Sequence, residues 1–144
     1  MIRTNLSYLR HTPSSISTLL KKSPIKIVFF QELNEAMIAR DISRWRYDEN
    51  SDSMLGLIDF ENFSQAMCFI NNAVPLIEEL GHYPQWLNSY NQVEVYLRTD
   101  EVSGVSERDV YLAVALDRIA DRVLADGGES ADRVVVTNYD DLFE

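Results

Sequence analysis

Between Gln92 and Arg98 apolar and polar residues alternate without a fault: Val93, Val95 and Leu97 fall on one side, Gln92, Glu94, Tyr96 and Arg98 on the other. Successive side chains of a strand point to opposite faces, so this segment reads as a strand with one face in a core and one in water. Whatever else the chain forms must cover one side of a sheet and leave the other open.

Two helices are available to do so. From Asn62 to Gly81 the residues Phe63, Ala66, Met67, Ile70, Ala73, Val74, Ile77 and Leu80 recur at spacings of three and four. Asn62 is a natural N-cap and Gly81 a natural stop, while Pro75 predicts a kink near Asn71 within one helix. Further on, Ser106 and Asp109 have capping-box spacing, with Val105 and Val110 placed as a hydrophobic staple. Leu112, Leu116, Ile119 and Val123 then form a stripe that stops near Asp126-Gly127-Gly128.

Upstream, Leu33, Ala36, Met37 and Ile38 predict a short helix between Glu32 and Ser43. Arg44 to Tyr47 and Met54 to Phe60 read as two strands of a hairpin, because the residues between them, Asp48 to Ser53, are dense in turn formers. Ile25 to Phe30 and Arg133 to Thr137 are further strand candidates. The order helix, strand, strand, helix, strand, helix implies an α+β fold, a mostly antiparallel sheet with helices packed on one face.

At 144 residues and 46% hydrophobic content the chain suits one compact domain. The expected layout is a basic extension over residues 1–30, the domain over 31–125 and an acidic tail over 126–144. The net charge is -10, yet Met1 to Gln31 contains Arg3, Arg10, Lys21, Lys22 and Lys26 and no acidic residue. Residues 1–24 have the Ser-rich, basic composition of an organellar transit peptide, and equally of a plain N-terminal extension. From Glu32 onward 23 acidic residues face eight arginines and no lysine, a balance that disfavours direct nucleic-acid binding. No apolar run approaches the roughly 20 residues needed to span a bilayer, and Cys68 is the one cysteine of the sequence. A soluble protein of the cytoplasm, or of an organelle if the leader targets, is the expectation, with no Cys-based metal site and Cys68 in a packing role.

The block Glu78-Glu79-Leu80-Gly81-His82-Tyr83-Pro84-Gln85-Trp86-Leu87-Asn88-Ser89-Tyr90-Asn91-Gln92-Val93 resembles the signature of the pterin-4a-carbinolamine dehydratases. That family shows an acidic residue, three spacers, His-His-Pro, an aromatic, Asn-x-Tyr-Asn-x-Val, an alternating strand, Thr-His, a Gly-containing turn and a capped helix with Asp. Leu97-Arg98-Thr99-Asp100, Gly104, Ser106 and Asp109 fall in the later places, and Trp45 and the segment from Phe60 to Phe69 are similar to the family as well. The resemblance covers about the central ninety residues.

The resemblance implies elimination of water from 4a-hydroxytetrahydropterin, giving the quinonoid dihydropterin in pterin cofactor recycling, with the pterin as substrate and no cofactor or metal. Glu78 matches the acidic position and His82 the first histidine. The resemblance gives His82 the protonation of the leaving hydroxyl and Glu78 the orientation of its imidazole, since residues four apart share a helix face. The second histidine position is Tyr83, a phenol with an ordinary pKa of about 10 that donates a hydrogen bond but shuttles protons poorly near neutrality. The third is Asp100, whose ordinary pKa of about 3.9 makes it a proton acceptor. Pro84 fixes the chain direction after His82, and Trp86 either walls the pocket or, the favoured reading, fills the core.

Two functions follow from a frame with a depleted histidine set. One is a hydro-lyase weakened at Tyr83 and Asp100, with His82 as principal acid and Glu78 and Asp100 assisting. The other is a dehydratase-like binding or assembly protein without turnover, of the coactivator or Rubisco-assembly type, with a protein partner. A third reading makes the domain a vestigial oligomer whose polar pocket is only solvated surface, and a homodimer or homotetramer is expected under all three, from the apolar last helix and the free edge of a small sheet.

Overall fold

The computed structural model describes Leu33, Glu35 and residues 42–126. Among these, a hairpin of β1 (Trp45–Asp48) and β2 (Ser53–Asp59) is followed by helix α1 (Phe63–Leu80). A second hairpin of β3 (Gln85–Ser89) and β4 (Gln92–Leu97) leads through a 3-10 turn (Asp100–Val102) into helix α2 (Glu107–Asp126). The strands form one sheet in the order β1-β2-β4-β3, every neighbouring pair antiparallel.

The expected α+β fold is therefore present, with one strand more than the periodicity suggested: β3, Gln85 to Ser89, lies where no strand was expected. Its turn to β4 has Tyr90 at φ 50°, and the Asn88 side-chain amide donates to the carbonyls of Tyr90 and Gln92 at 3.1 and 3.0 Å. Leu33 and Glu35 are helical, and Leu33 is buried in the core. The rest of the expected helix at 32–43, the strands proposed at 25–30 and 133–137, the leader and the tail from residue 127 lie outside the described residues.

Alternation works as expected in β4, where Val93, Val95 and Leu97 are fully buried. Their partners across the sheet on that face are Ile58, Gly56 and Met54 in β2, and both helices lie over it. Phe69, Ala73 and Ile77 of α1 meet Leu112, Leu116 and Ile119 of α2 in one core cluster. Each large aliphatic or aromatic side chain buried there contributes about 1.5–3 kcal/mol. Gly56 is required by its neighbour: a Cβ at this position would lie 2.7 Å from the indole of Trp45, its partner in β1.

The helix ends are built as their residues dictate. Asn62 Oδ1 accepts the Gln65 N–H at 2.9 Å, and α1 continues as one element through Pro75 to Gly81, which sits at φ 61° and donates its N–H to the Ile77 carbonyl. Glycine takes this left-handed conformation without steric cost. No helix among the described residues is long and apolar enough to cross a membrane.

Arg44 ties the entry of the sheet to α2, donating to Asp117 at 2.9 Å and to Asp121 at 2.7 Å. Burial holds the Asp117 carboxyl above the ordinary carboxylate range, outweighing the opposite pull of the Arg44 guanidinium.

Candidate functional site

The site grows from the two chain segments that leave α1 and β4. Gly81 ends α1 in a left-handed turn, and the next residue, His82, lies off the helix rather than on its face. Its imidazole Nε2 lies 2.6 Å from Oδ1 of Asp109, in the first turn of α2. Asp109 is fully buried, and His82 retains 13% side-chain exposure.

A buried carboxylate is stable only when its acceptors are used. Here Oδ2 accepts the Thr99 hydroxyl at 2.7 Å and the Ser106 backbone N–H at 2.9 Å, while Ser106 Oγ accepts the Arg108 N–H at 3.2 Å. That reciprocal pattern is a capping box, as the spacing predicted. Thr99 Oγ1 and Ser106 Oγ are 2.6 Å apart. A threonine has one hydroxyl proton, so with that proton on Asp109 the serine is the donor to Thr99. With its acceptors turned on His82, Asp109 fixes the imidazole tautomer with the proton on Nε2.

A groove of about 120 Å³ opens beside this cluster, lined by Ser51, Ser53, Tyr83, Gln85, Tyr96, Arg98 and Asp100. It lies at the end of the sheet where β2 and β3 begin and β4 finishes, with Gln85 and Tyr96 facing each other across the strand pair. Tyr96 and Arg98 alternate with the buried Val95, Leu97 and Thr99, which puts them on the face away from the helices. Arg98 donates to the Ser51 carbonyl at 2.8 Å, and its Nε stands 3.5 Å from Oδ1 of Asp100. Asp100 is 95% exposed, a carboxylate in an ion pair with an open outer side.

The expected site residues thus divide. Tyr83 and Asp100 meet in the groove. His82 joins Asp109 in a buried cluster behind it and is not among the residues that line it. The two clusters touch through the chain itself, since Tyr83 follows His82 and Asp100 follows Thr99. Glu78, expected to orient the imidazole, is exposed on the last turn of α1, and the group found on the imidazole is Asp109. Trp86 is half-buried against the core, and Pro84 is half-buried where the chain enters β3. Arg98, Gln85 and Tyr96 were not anticipated as site residues; the alternation of β4 already placed Tyr96 and Arg98 on its polar face beside Asp100. Among the described residues no three His, Cys, Asp or Glu side chains gather as a metal site would require.

A model of the pterin 4 alpha carbinolamine dehydratase family matches residues 30–119. A pterin-4-alpha-carbinolamine dehydratase of Drosophila melanogaster is 30% identical over 121 residues, which cover 81% of this chain and 63% of that protein. A Sinorhizobium medicae protein provisionally given the same name is 32% identical over 99 residues, covering 67% of this chain and 94% of its own length. Among solved structures, a transcriptional coactivator/pterin dehydratase from Brucella melitensis superposes with a TM-score of 0.60 at 33% identity, over 65% of this chain and 97% of that one.

Proposed function

Because the chain belongs to the pterin 4 alpha carbinolamine dehydratase family, we propose that it removes water from a 4a-hydroxytetrahydropterin, as a hydro-lyase of reduced chemical power. In this elimination the carbon–oxygen bond at C4a breaks, driven by the lone pair of the adjacent ring nitrogen. The hydroxyl takes up a proton and departs as water, and a ring N–H gives one up. No net proton is consumed, and the proposal needs no group beyond the pterin and the side chains.

The observation that carries this reading is the convergence of Tyr83 and Asp100 on one groove, with the His82–Asp109 pair joined to it through the chain, since Tyr83 follows His82 and Asp100 follows Thr99, the hydroxyl donor to Asp109. His82 supplies the acid: Asp109 orients its ring, which keeps 13% side-chain exposure. The imidazole, left neutral, takes back the N5–H proton, while Asp100 accepts hydrogen bonds from ring N–H groups and the Tyr83 phenol donates a hydrogen bond to the heterocycle. Where the family places three histidines, this chain has one. A positioned acid or base is worth about 10²- to 10⁴-fold, so the reduced set sets a ceiling on the rate without removing it.

A second reading, binding without turnover, is favoured by one observation: His82 does not line the groove. The Brucella melitensis relative is described as both coactivator and dehydratase, and a protein partner belongs to this alternative. A homodimer or homotetramer accompanies either reading, checked by light scattering on the purified chain.

Stopped-flow kinetics of 4a-hydroxytetrahydropterin dehydration separate the two. Turnover by the wild type above the buffer rate, raised further in Tyr83→His/Asp100→His, supports the hydro-lyase. A wild type at the buffer rate, with turnover appearing only in the double variant, supports the binding protein.

A further inference from the structure

The groove is well below the roughly 300 Å³ at which pockets begin to enclose a drug-sized ligand, so it suits one edge of a heterocycle better than the whole of it. We infer that Asp100 and Arg98 form a specificity comb that reads the 2-amino-4-oxo edge of a pterin; this rests on the pterin reading above and assigns the orientation of the ligand within it.

The chemistry of the two edges matches. A pterin presents, side by side, the donors of its 2-amino group and N3–H, followed by the acceptor at O4. A carboxylate offers two oxygens with acceptor sites for parallel donors, and a guanidinium beside it offers donors in a fixed plane. On this chain the carboxylate and the guanidinium are adjacent, with 3.5 Å between Arg98 Nε and Asp100 Oδ1, and the carboxylate is open to a ligand at 95% exposure.

Both teeth of the comb are held from behind. Arg98 is anchored on the β1–β2 loop through the Ser51 carbonyl at 2.8 Å. Asp100 follows Thr99, whose backbone is pinned to Gly104 by hydrogen bonds of 2.8 and 3.3 Å and whose side chain is locked on Asp109. Tyr83 and Tyr96 supply aromatic surface for the flat ring between these groups. Asp100 therefore has a recognition role of its own, accepting hydrogen bonds from the 2-amino group and N3–H, while the proton released in turnover is the one on N5, at the far side of the heterocycle.

Isothermal titration of the full chain with pterin and with lumazine, which carries an oxo group in place of the 2-amino group, tests this. The wild type is expected to bind pterin at least about tenfold tighter than lumazine, because the oxo group sets an acceptor against the carboxylate. Asp100→Asn is expected to abolish that preference, and Arg98→Gln to weaken both heterocycles alike, since both carry O4. Equal affinity of the wild type for the two compounds, or a preference that survives in Asp100→Asn, overturns the assignment while leaving pterin binding in place. Binding of neither compound overturns this inference and the pterin reading together.

Discussion

Asp109 Oδ1 lies 2.6 Å from the Nε2 of His82, across 27 residues of chain. The same carboxylate caps α2 through Ser106 and fastens the end of β4 through Thr99. It is thus a stability element and the orienting group of the one imidazole among the described residues. Asp109→Ala leaves the Ser106 N–H, the Thr99 hydroxyl and His82 without their acceptor, and is expected to cost about 3 kcal/mol or more. Urea denaturation measures it, and a loss under about 1 kcal/mol, the size of a lone surface ion pair, would mean the network is not what holds this corner.

Gly56→Ala tests the packing of the hairpin on its neighbour. The added methyl meets the Trp45 ring at 2.7 Å, within a side chain that is 2% exposed, so either the indole or the strand must shift. Overpacking of this kind costs about 1–3 kcal/mol. A thermal melt of the variant is expected to fall by several degrees, and an unchanged midpoint would place the Trp45 ring elsewhere.

Asp117 gives a pH dependence with a definite sign. Its folded carboxyl is held above the ordinary range by burial, so the folded state favours the protonated form more than the unfolded chain does. The resulting stability is fully present below the unfolded value of about 3.9 and is lost as pH rises through the higher folded value. Asp117→Asn removes this term. The stability of the wild type relative to that variant, taken from urea midpoints, should decline from pH 4 towards neutrality; a difference that grows with pH would show that the Arg44 pair outweighs burial.

The local signals proved the most legible in the sequence. Asn62, Gly81 and the pair Ser106 and Asp109 mark helix ends because a cap is a contract between residues a few positions apart. Strand β4 is equally plain, its alternation being the direct imprint of a half-buried sheet. Strand β3 carries no such signal, because Gln85-Trp86-Leu87-Asn88-Ser89 is short, polar at both ends and follows a proline. Glu78 and His82 have helical spacing, but Gly81 ends the helix between them in a left-handed turn, and the imidazole pairs with Asp109. Asp109 was legible as a cap and silent about His82, since no spacing rule reaches across 27 residues. The groove was hidden for the same reason: Ser51, Tyr83 and Arg98 are brought together only by the strand order β1-β2-β4-β3.

The double variant Tyr83→His/Asp100→His should trade recognition for chemistry. Restoring histidine at both positions is expected to raise the dehydration rate by about 10²-fold or more while loosening pterin binding, because the carboxylate is gone. Parallel measurements of kcat and KM check this, and a double variant that gains neither rate nor KM would detach these two positions from the reaction.

The most direct test of the account is the dehydration rate of His82→Gln compared with wild type. Glutamine keeps a side-chain N–H for Asp109, so the fold and the buried carboxylate are spared, but it cannot deliver a proton. A wild-type rate above buffer that falls by about 10²-fold or more in this variant, with pterin affinity retained, is the predicted result. Equal rates in wild type and His82→Gln would contradict the assignment of His82 as the acid.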